Sequence, residues 1–378
     1  MSHPFWSLLA LLYLRKGQYN KAILFVSLFD TLQVLREESI FLEGILEDKR
    51  ELALQAWCEL QTGVTQPTLE VVSGDASFRR YFRATNGRES LIAVDCPPDK
   101  EPMEPFLAVA EAYRDAGVTV PEVVAADTEH GFMLQSDFGQ ILLLSKLHER
   151  NARQFYGDAL AALPHIMDVT KTRLGALPKF DQALLERELG LFKDWLLGTH
   201  LKVEWQPDDE RIWTRFCDIM INNALAQPQV GVHRDYHSRN LMLLNDDRIG
   251  IIDFQDAVVG PITYDAVSLL RDCYIEWPDE LVDELSNTLR QRLIDSNRLA
   301  AQTDEAQWQQ WFDLMGMQRH TKAAGIFARL AHRDKKPGYL QDVPRTLGYL
   351  ERISQRYTDL NEYNAWLNER VLPAWEQQ

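Results

Sequence analysis

Apolar and polar positions along this chain change period more than once, and the changes divide it. An apolar run from Phe5 to Leu14 is followed by Ile23, Val26, Leu32 and Leu35 at helical spacing, so residues 1–50 read as an appended helical segment. Helical spacing holds again from Leu52 to Gln61, and after Pro67 the pattern shortens to strand-like runs at Leu69 to Val72, Phe78 to Ala84 and Leu91 to Asp95. Asn86-Gly87 is a hairpin signal between the second and third runs. Ser73-Gly74-Asp75-Ala76-Ser77 is a short polar loop between the first and second. Residues 103–116 return to helical spacing through Phe106, Ala110 and Tyr113 and stop at Gly117, a suitable C-terminal cap. Glu122 to Ala126 and Phe132 to Gln135 add two strands. The pattern therefore predicts an α+β protein, with a small antiparallel five-stranded sheet interrupted by one helix over residues 67–137. Beyond Gly139 it predicts long helices broken by one β-rich segment between Val230 and Phe254. The domains expected are 1–50 as a helical extension, 51–137 as the sheet lobe and 138–378 as a mostly helical lobe.

The β-rich segment carries the candidate chemistry. It reads VGVHRDYHSRNLMLLNDDRIGIIDFQD from Val230 to Asp256. Leu241 to Leu244 and Ile249 to Ile252 are short strands joined by Asn245-Asp246-Asp247, and an antiparallel pairing brings the open ends together, with Asn240 beside Asp253. An amide oxygen and a carboxylate converging in this way suit Mg²⁺, which takes few protein ligands and completes its shell with phosphate oxygens. Asp235, on the loop entering the hairpin, can face a metal-bound phosphate and accept the proton of an attacking hydroxyl. Phosphoryl transfer needs this division of labour. Asp256 is a candidate for a second metal, a substrate hydroxyl or a turn cap. Asp265, at the start of the following helix, is read as structural.

Charge and composition narrow the class of partner. The chain carries 40 Lys and Arg against 56 Asp and Glu, a formal net charge of -16. That balance disfavours nucleic-acid binding, which relies on clustered cations. Cys58, Cys96, Cys217 and Cys273 form no C-x-x-C pair, which indicates neither zinc nor a disulfide framework and fits a reducing cytoplasm. The Phe5 to Leu14 run is short against the ~20 residues of a membrane span. Its basic residues follow the run, whereas a secretory signal has them in front. No integral membrane span is expected.

His233-Arg234-Asp235 followed by four residues and Asn240 resembles the catalytic loop of the kinase fold, and Ile252-Asp253-Phe254 resembles the Ile-Asp motif of the aminoglycoside and choline kinases. The resemblance implies a two-lobed, protein-kinase-like fold, an ATP- and Mg²⁺-dependent enzyme, Asp235 as catalytic base, and Asn240 and Asp253 as metal ligands. It makes His233 and Asp265 scaffolding of the loop. Ser73, Gly74, Asp75 and Ser77 then fall at the phosphate loop, although this loop has one glycine where kinases have three. Gln135 and Asp137 fall at the hinge that meets adenine. Ile92-Ala93-Val94-Asp95 has Asp where kinases carry a third-strand Lys. Two readings stay open: an arginine of Phe78 to Arg83, Arg80 first among them and paired with Glu111, replaces the lysine, or the protein is a nucleotide-binding pseudokinase.

SGDASFRRYFR (73–83), AVDCPP (93–98), HRDYHSRNLM (233–242) and the stretch from Met315 to Arg345 are together similar to bacterial kinases of cell-wall recycling that phosphorylate the anomeric hydroxyl of N-acetylmuramate and N-acetylglucosamine. That resemblance covers roughly residues 50–378 and implies a small amino-sugar acceptor, feeding a route to UDP-sugar. His237, Arg239, Asp256, Arg319 and Lys322 are the acceptor-binding candidates. His320 and Arg329 add further cations on the C-terminal wall, and Trp195 and Trp205 could form a sugar platform or belong to the core. Another small-molecule kinase, for an aminoglycoside, choline or another sugar, is the alternative.

Overall fold

The computed structural model describes residues 49–64, 67–73, 78–85 and 90–378. The proposed extension up to residue 48, the loop residues Gly74, Asp75 and Ser77, and the Asn86-Gly87 turn lie outside the described residues, as does the Ser73 side chain. Helix α1 (residues 49–62) leads into β1 (Thr68–Ser73), β2 (Arg80–Thr85) and β3 (Ser90–Asp95). Helix α2 (Glu104–Asp115) follows, then β4 (Val123–Asp127) and β5 (Phe132–Ser136). The strands form one antiparallel sheet in the order β1-β2-β3-β5-β4. At the end of α2, Gly117 takes φ +85° and the Val118 N–H reaches back to the Tyr113 carbonyl, a glycine-capped terminus.

Alternation along the strands separates two apolar faces. Ile92, Val94, Cys96 and Met133 join Phe106, Val109 and Tyr113 of α2 in the large core, together with Phe254 from the second lobe. Phe82, Ala84, Ala93, Phe132 and Leu134 form a separate cluster with Leu54 and Cys58, one turn apart on α1. Helix α1 is thus the cover of the sheet's outer face.

The second lobe comprises α3 (Ala152–Met167), α4 (Gln182–Leu191), α5 (Pro207–Ala226), α6 (Tyr264–Leu270), α7 (Asp279–Asp295), α8 (Glu305–His332) and α9 (Val343–Ser354), with shorter helical turns between them. Helix α8 runs through its middle, against α4, α5, α6 and α9. Gly325 permits the closest of these approaches, since a Cβ there would lie 2.4 Å from the Leu191 carbonyl carbon. Small ladders sit beside the helices, among them β6 (Gln229–Val232) with β9 (Val258–Pro261), and β7 (Leu241–Leu243) with β8 (Ile249–Ile251). Backbone bonds from Leu243 N to Ile141 O and from Ile251 N to Thr119 O tie the β7–β8 hairpin to the segments that follow β5 and α2. The hairpin is therefore fixed beneath the sheet. No helix among the described residues is long and apolar enough to cross a membrane.

Candidate active site

The hairpin register pairs Leu241 with Ile251, and the Ile252 N–H donates to the Asn240 carbonyl, which carries the ladder to its open end. There the Asn240 side-chain nitrogen donates to Asp253 Oδ2 at 3.0 Å and to the Asp235 carbonyl at 3.0 Å. The nitrogen makes both bonds, so Oδ1 is the atom Asn240 can offer a cation. Gln255 Nε2 donates to the other Asp253 oxygen at 2.8 Å. Asp253 and Arg234 both adopt left-handed backbone, at φ +65° and +78°. Such residues persist only where their surroundings over-determine them.

Two buried carboxylates supply much of that constraint on the loop. Asp265, on α6, accepts the backbone N–H groups of His233 at 2.7 Å and Arg234 at 3.0 Å. Burial outweighs those bonds and pushes its pKa up to about 7. Asp272, just beyond α6, accepts the Ser238 backbone N–H at 2.9 Å as well as its hydroxyl, and takes the Tyr274 N–H on its other oxygen. One carboxylate thus holds each half of the loop. His233 is fully buried; its Nδ1 accepts the Asp235 N–H at 3.3 Å, which puts the ring proton on Nε2, 3.1 Å from the Ile252 carbonyl. Burial depresses its pKa to about 4, so the ring is neutral.

Asp235 is ionised in this setting. Burial acts to raise its pKa, but the charges of Lys322, His237, Arg234 and Arg319 outweigh that and hold it below the usual carboxylate range. Lys322 and Arg319 lie one turn apart on α8 and meet Tyr264: the Lys322 ammonium is 3.2 Å from its hydroxyl, and the Arg319 guanidinium lies over its ring at 5.0 Å. Glu188 of α4 is paired with Arg234 at 2.6 Å and with Lys322 at 3.1 Å, and accepts Gln318 Nε2 at 3.0 Å. Burial raises its pKa, but the adjacent Lys322 and Arg234 charges bring it below the ordinary value. Arg319 Nε and His237 Nδ1 are buried without a hydrogen-bond partner among the described residues. Buried polar atoms of that kind are rare in folded proteins, and water, an ion or a ligand can complete their bonding. Arg239 stacks over Tyr274 at 3.7 Å and His237 meets the same ring edge-on. Asp256 is exposed on the turn after the hairpin.

Three further side chains singled out from the sequence have other partners. His320 is buried against Tyr349, ring planes 3° apart, and bonds the Arg271 carbonyl, so it is part of the core and not of a cationic wall. Trp205 sits against Trp366 and under Lys193. Glu111 of α2 pairs with Arg173, which removes it as the partner of a second-strand arginine.

On the sheet side, Asp95 is fully buried and turned toward α1, where it holds Arg50 of α1 and Arg80 of β2, the latter at 2.6 Å. Arg83 spans to Asp137 at 2.6 Å and to the Gly139 carbonyl, and Gln135 is buried on β5 with its Oε1 unpartnered among the described residues. Arg79, which precedes β2, is 4% exposed, paired with Glu101 and placed over the Phe106 ring at 5.2 Å.

Glu188 and Asp272 escape sequence reasoning because neither stands in a motif. A signal for Glu188 exists, since it occupies the apolar stripe of α4 beside Leu185 and Leu189. Among the described residues no group of three or more His, Cys, Asp or Glu could hold a metal by itself.

The phosphotransferase enzyme family, APH, matches residues 68–311, a span that holds the sheet, the hairpin and the loop of Asp235. A Pseudomonas aeruginosa protein named N-acetylmuramate/N-acetylglucosamine kinase is 44% identical over 298 residues, which are 78% of this chain and 87% of that protein. A Neisseria meningitidis protein of the same name is 38% identical over 326 residues, 85% of this chain and 96% of the relative. Among solved structures, a choline kinase from Streptococcus pneumoniae superposes with a TM-score of 0.54 at 12% identity, covering 80% of this chain and 99% of its own. An ADP-bound aminoglycoside phosphotransferase superposes with a TM-score of 0.53 at 14% identity, covering 80% and 98%. At such identities these two structures establish a common fold.

Proposed function

This chain belongs to the phosphotransferase enzyme family, and from that premise we propose that it transfers the terminal phosphoryl group of ATP to the anomeric hydroxyl of N-acetylmuramate or N-acetylglucosamine. The observation that carries the reaction type is the convergence of Asp235, Asn240 and Asp253 at the open end of one hairpin. Asp235, ionised beside Lys322, Arg234 and Arg319, accepts the proton as the sugar oxygen attacks phosphorus and the bond to the ADP oxygen breaks. The products are the sugar 1-phosphate and ADP. Asn240 Oδ1 and the Asp253 carboxylate are the hard oxygens that would hold Mg²⁺, and the donor set fits an ion that takes most of its shell from phosphate and water. When bound, Mg²⁺ supplies neutralisation of phosphate charge.

The acceptor reading rests on the named relatives and on the polar groups around Asp235. Arg319 Nε and His237 Nδ1 offer unpartnered buried nitrogens, and Arg239 and Lys322 add positive charge suited to a carboxylate-bearing, acetamido sugar. The nucleotide lies, in this reading, between the sheet and the hairpin, with the 73–77 loop over its phosphates and backbone at Gln135 to Asp137 beside adenine. Residues 51–137 then serve as the nucleotide lobe and 138–378 as the catalytic lobe. Asp256 is left to contact solvent-side hydroxyls of the acceptor.

Incubation with ATP, Mg²⁺ and a panel of acceptors tests this. An acid-labile 1-phosphate should form from the two amino sugars and not from an aminoglycoside or choline; no product from either sugar would refute the assignment. Asp235→Asn should lower kcat by about 10²–10⁴-fold while ATP binding persists.

A further inference from the structure

Phosphoryl transfer needs a cation on the phosphates beyond the metal, and β3 supplies no lysine for it. Resting on the kinase reading above, we propose that Arg79, held by Glu101, binds the phosphate oxygens of the nucleotide from the sheet side.

The face of the sheet decides between the three arginines of the second strand. Positions 80, 82 and 84 look toward α1: Phe82 and Ala84 belong to the outer cluster, and Arg80 is bound to Asp95 beside Arg50. Arg80 therefore stands behind the sheet, and the aspartate in the lysine's motif position faces the same way. Positions 79, 81 and 83 look toward α2 and the hairpin. Arg83 is at the hinge end, where its Nε and Nη2 engage Asp137 and Gly139. Arg79 is at the opposite end, directly after the polar loop assigned to the phosphates.

Two contacts connect Arg79 to Asp253. Its guanidinium lies over Phe106, and that ring packs at a tilt with its centroid 4.8 Å from that of Phe254, the residue after Asp253. The Tyr81 phenol is within electrostatic reach of both Arg79 and Asp253. Glu101, contributed by the β3–α2 connection, pairs with Arg79, and the Cys96 thiol donates to the Glu101 carbonyl. A guanidinium has five donors in a planar fork, and Arg79 shares them among Glu101, the side chains of Tyr81 and Cys96 and, in this proposal, a phosphate oxygen. Burial to 4% exposure makes each charge-assisted bond stronger than it would be in water. An arginine held by a loop carboxylate thus fills the role that a strand lysine held by a helix glutamate fills elsewhere.

The test compares Arg79→Gln, Arg79→Lys and Arg80→Gln by steady-state kinetics and by titration with a fluorescent ADP analogue. Arg79→Gln should raise the KM for ATP and the Kd for the analogue about tenfold or more, with the sugar KM nearly unchanged. Arg79→Lys should recover part of the loss, and Arg80→Gln should leave both nucleotide constants within about twofold of wild type. A folded Arg79→Gln protein with wild-type nucleotide constants, or the defect appearing in Arg80→Gln, would overturn the proposal. Should Arg79→Gln fail to melt cooperatively, Glu101→Gln decides: an increased ATP KM at unchanged Tm supports Arg79, and an unchanged ATP KM refutes it. If wild-type protein binds the analogue yet phosphorylates no acceptor, the kinase reading fails, while the analogue titrations still decide for or against Arg79.

Discussion

Glu188 is the carboxylate on which the cations around Asp235 depend. It pairs with Arg234 and Lys322 together, so Glu188→Gln would leave two largely buried positive charges without the carboxylate they are paired with, and with Asp235 as the remaining anion near them. Breaking a buried pair from one side costs about 3–5 kcal/mol, and urea unfolding should show a loss of that size. A loss under about 1 kcal/mol would mean that Asp235 alone balances the two cations. Glu188 also shows what a sequence conceals at this scale. Asp235, Asn240 and Asp253 are legible because their spacing along one hairpin fixes their separation. Glu188 lies 46 residues from Arg234, and Asp272 lies 34 residues from Ser238, so only the tertiary fold brings them together. Arg79 falls between these cases. Its motif is visible, but which of three neighbouring arginines meets the cleft depends on which face of the sheet is covered by α1.

At the scale of elements, the period changes are enough to reveal the sheet, its inserted helix and the β7–β8 hairpin, since each follows from local alternation and turn residues. The order in which helices cross the second lobe is not written locally. It depends on a few close approaches such as that of α8 to the end of α4. A side chain at Gly325 would meet the backbone of Leu191 and Phe192, which cannot move like a flexible side chain. Gly325→Ala should therefore destabilise by about 1–3 kcal/mol through overpacking, and it should disturb Lys322 and Arg319 on the same helix. At Gly157, within α3, a methyl group would find nothing within 4 Å, so Gly157→Ala should stabilise by about 0.5–1 kcal/mol through helix propensity. Thermal melts of the two variants should move in opposite directions; an unchanged or raised Tm for Gly325→Ala would show that α8 can relax away from α4.

At the scale of the whole molecule, buried titratable groups shape how the fold responds to acid, and three of them carry shifts large enough to compare. Burial depresses His233 to about 4 and His320 to about 3, whereas in the unfolded chain both titrate near 6.5. Their stabilisation is complete above pH 6.5 and is lost as pH falls, because the unfolded state takes up protons first. Between pH 6.5 and 4 each contributes a loss on the order of 3 kcal/mol. Asp265 acts the other way. Its folded pKa of about 7 exceeds the ordinary carboxylate value, so the folded state binds the proton first and gains on the order of 4 kcal/mol as pH falls from 7 to 4. Two losses against one gain leave a net decline on acidification. His320→Gln should flatten that decline, since an amide can still donate to the Arg271 carbonyl without titrating. Asp265→Asn should steepen it by removing the gain. Each substitution changes the overall charge of -16 by at most one, so long-range repulsion cancels in the comparison with wild type. Urea midpoints at pH 7, 5.5 and 4.5 decide the matter, and parallel curves for wild type and His320→Gln would show that His320 titrates normally in the folded protein.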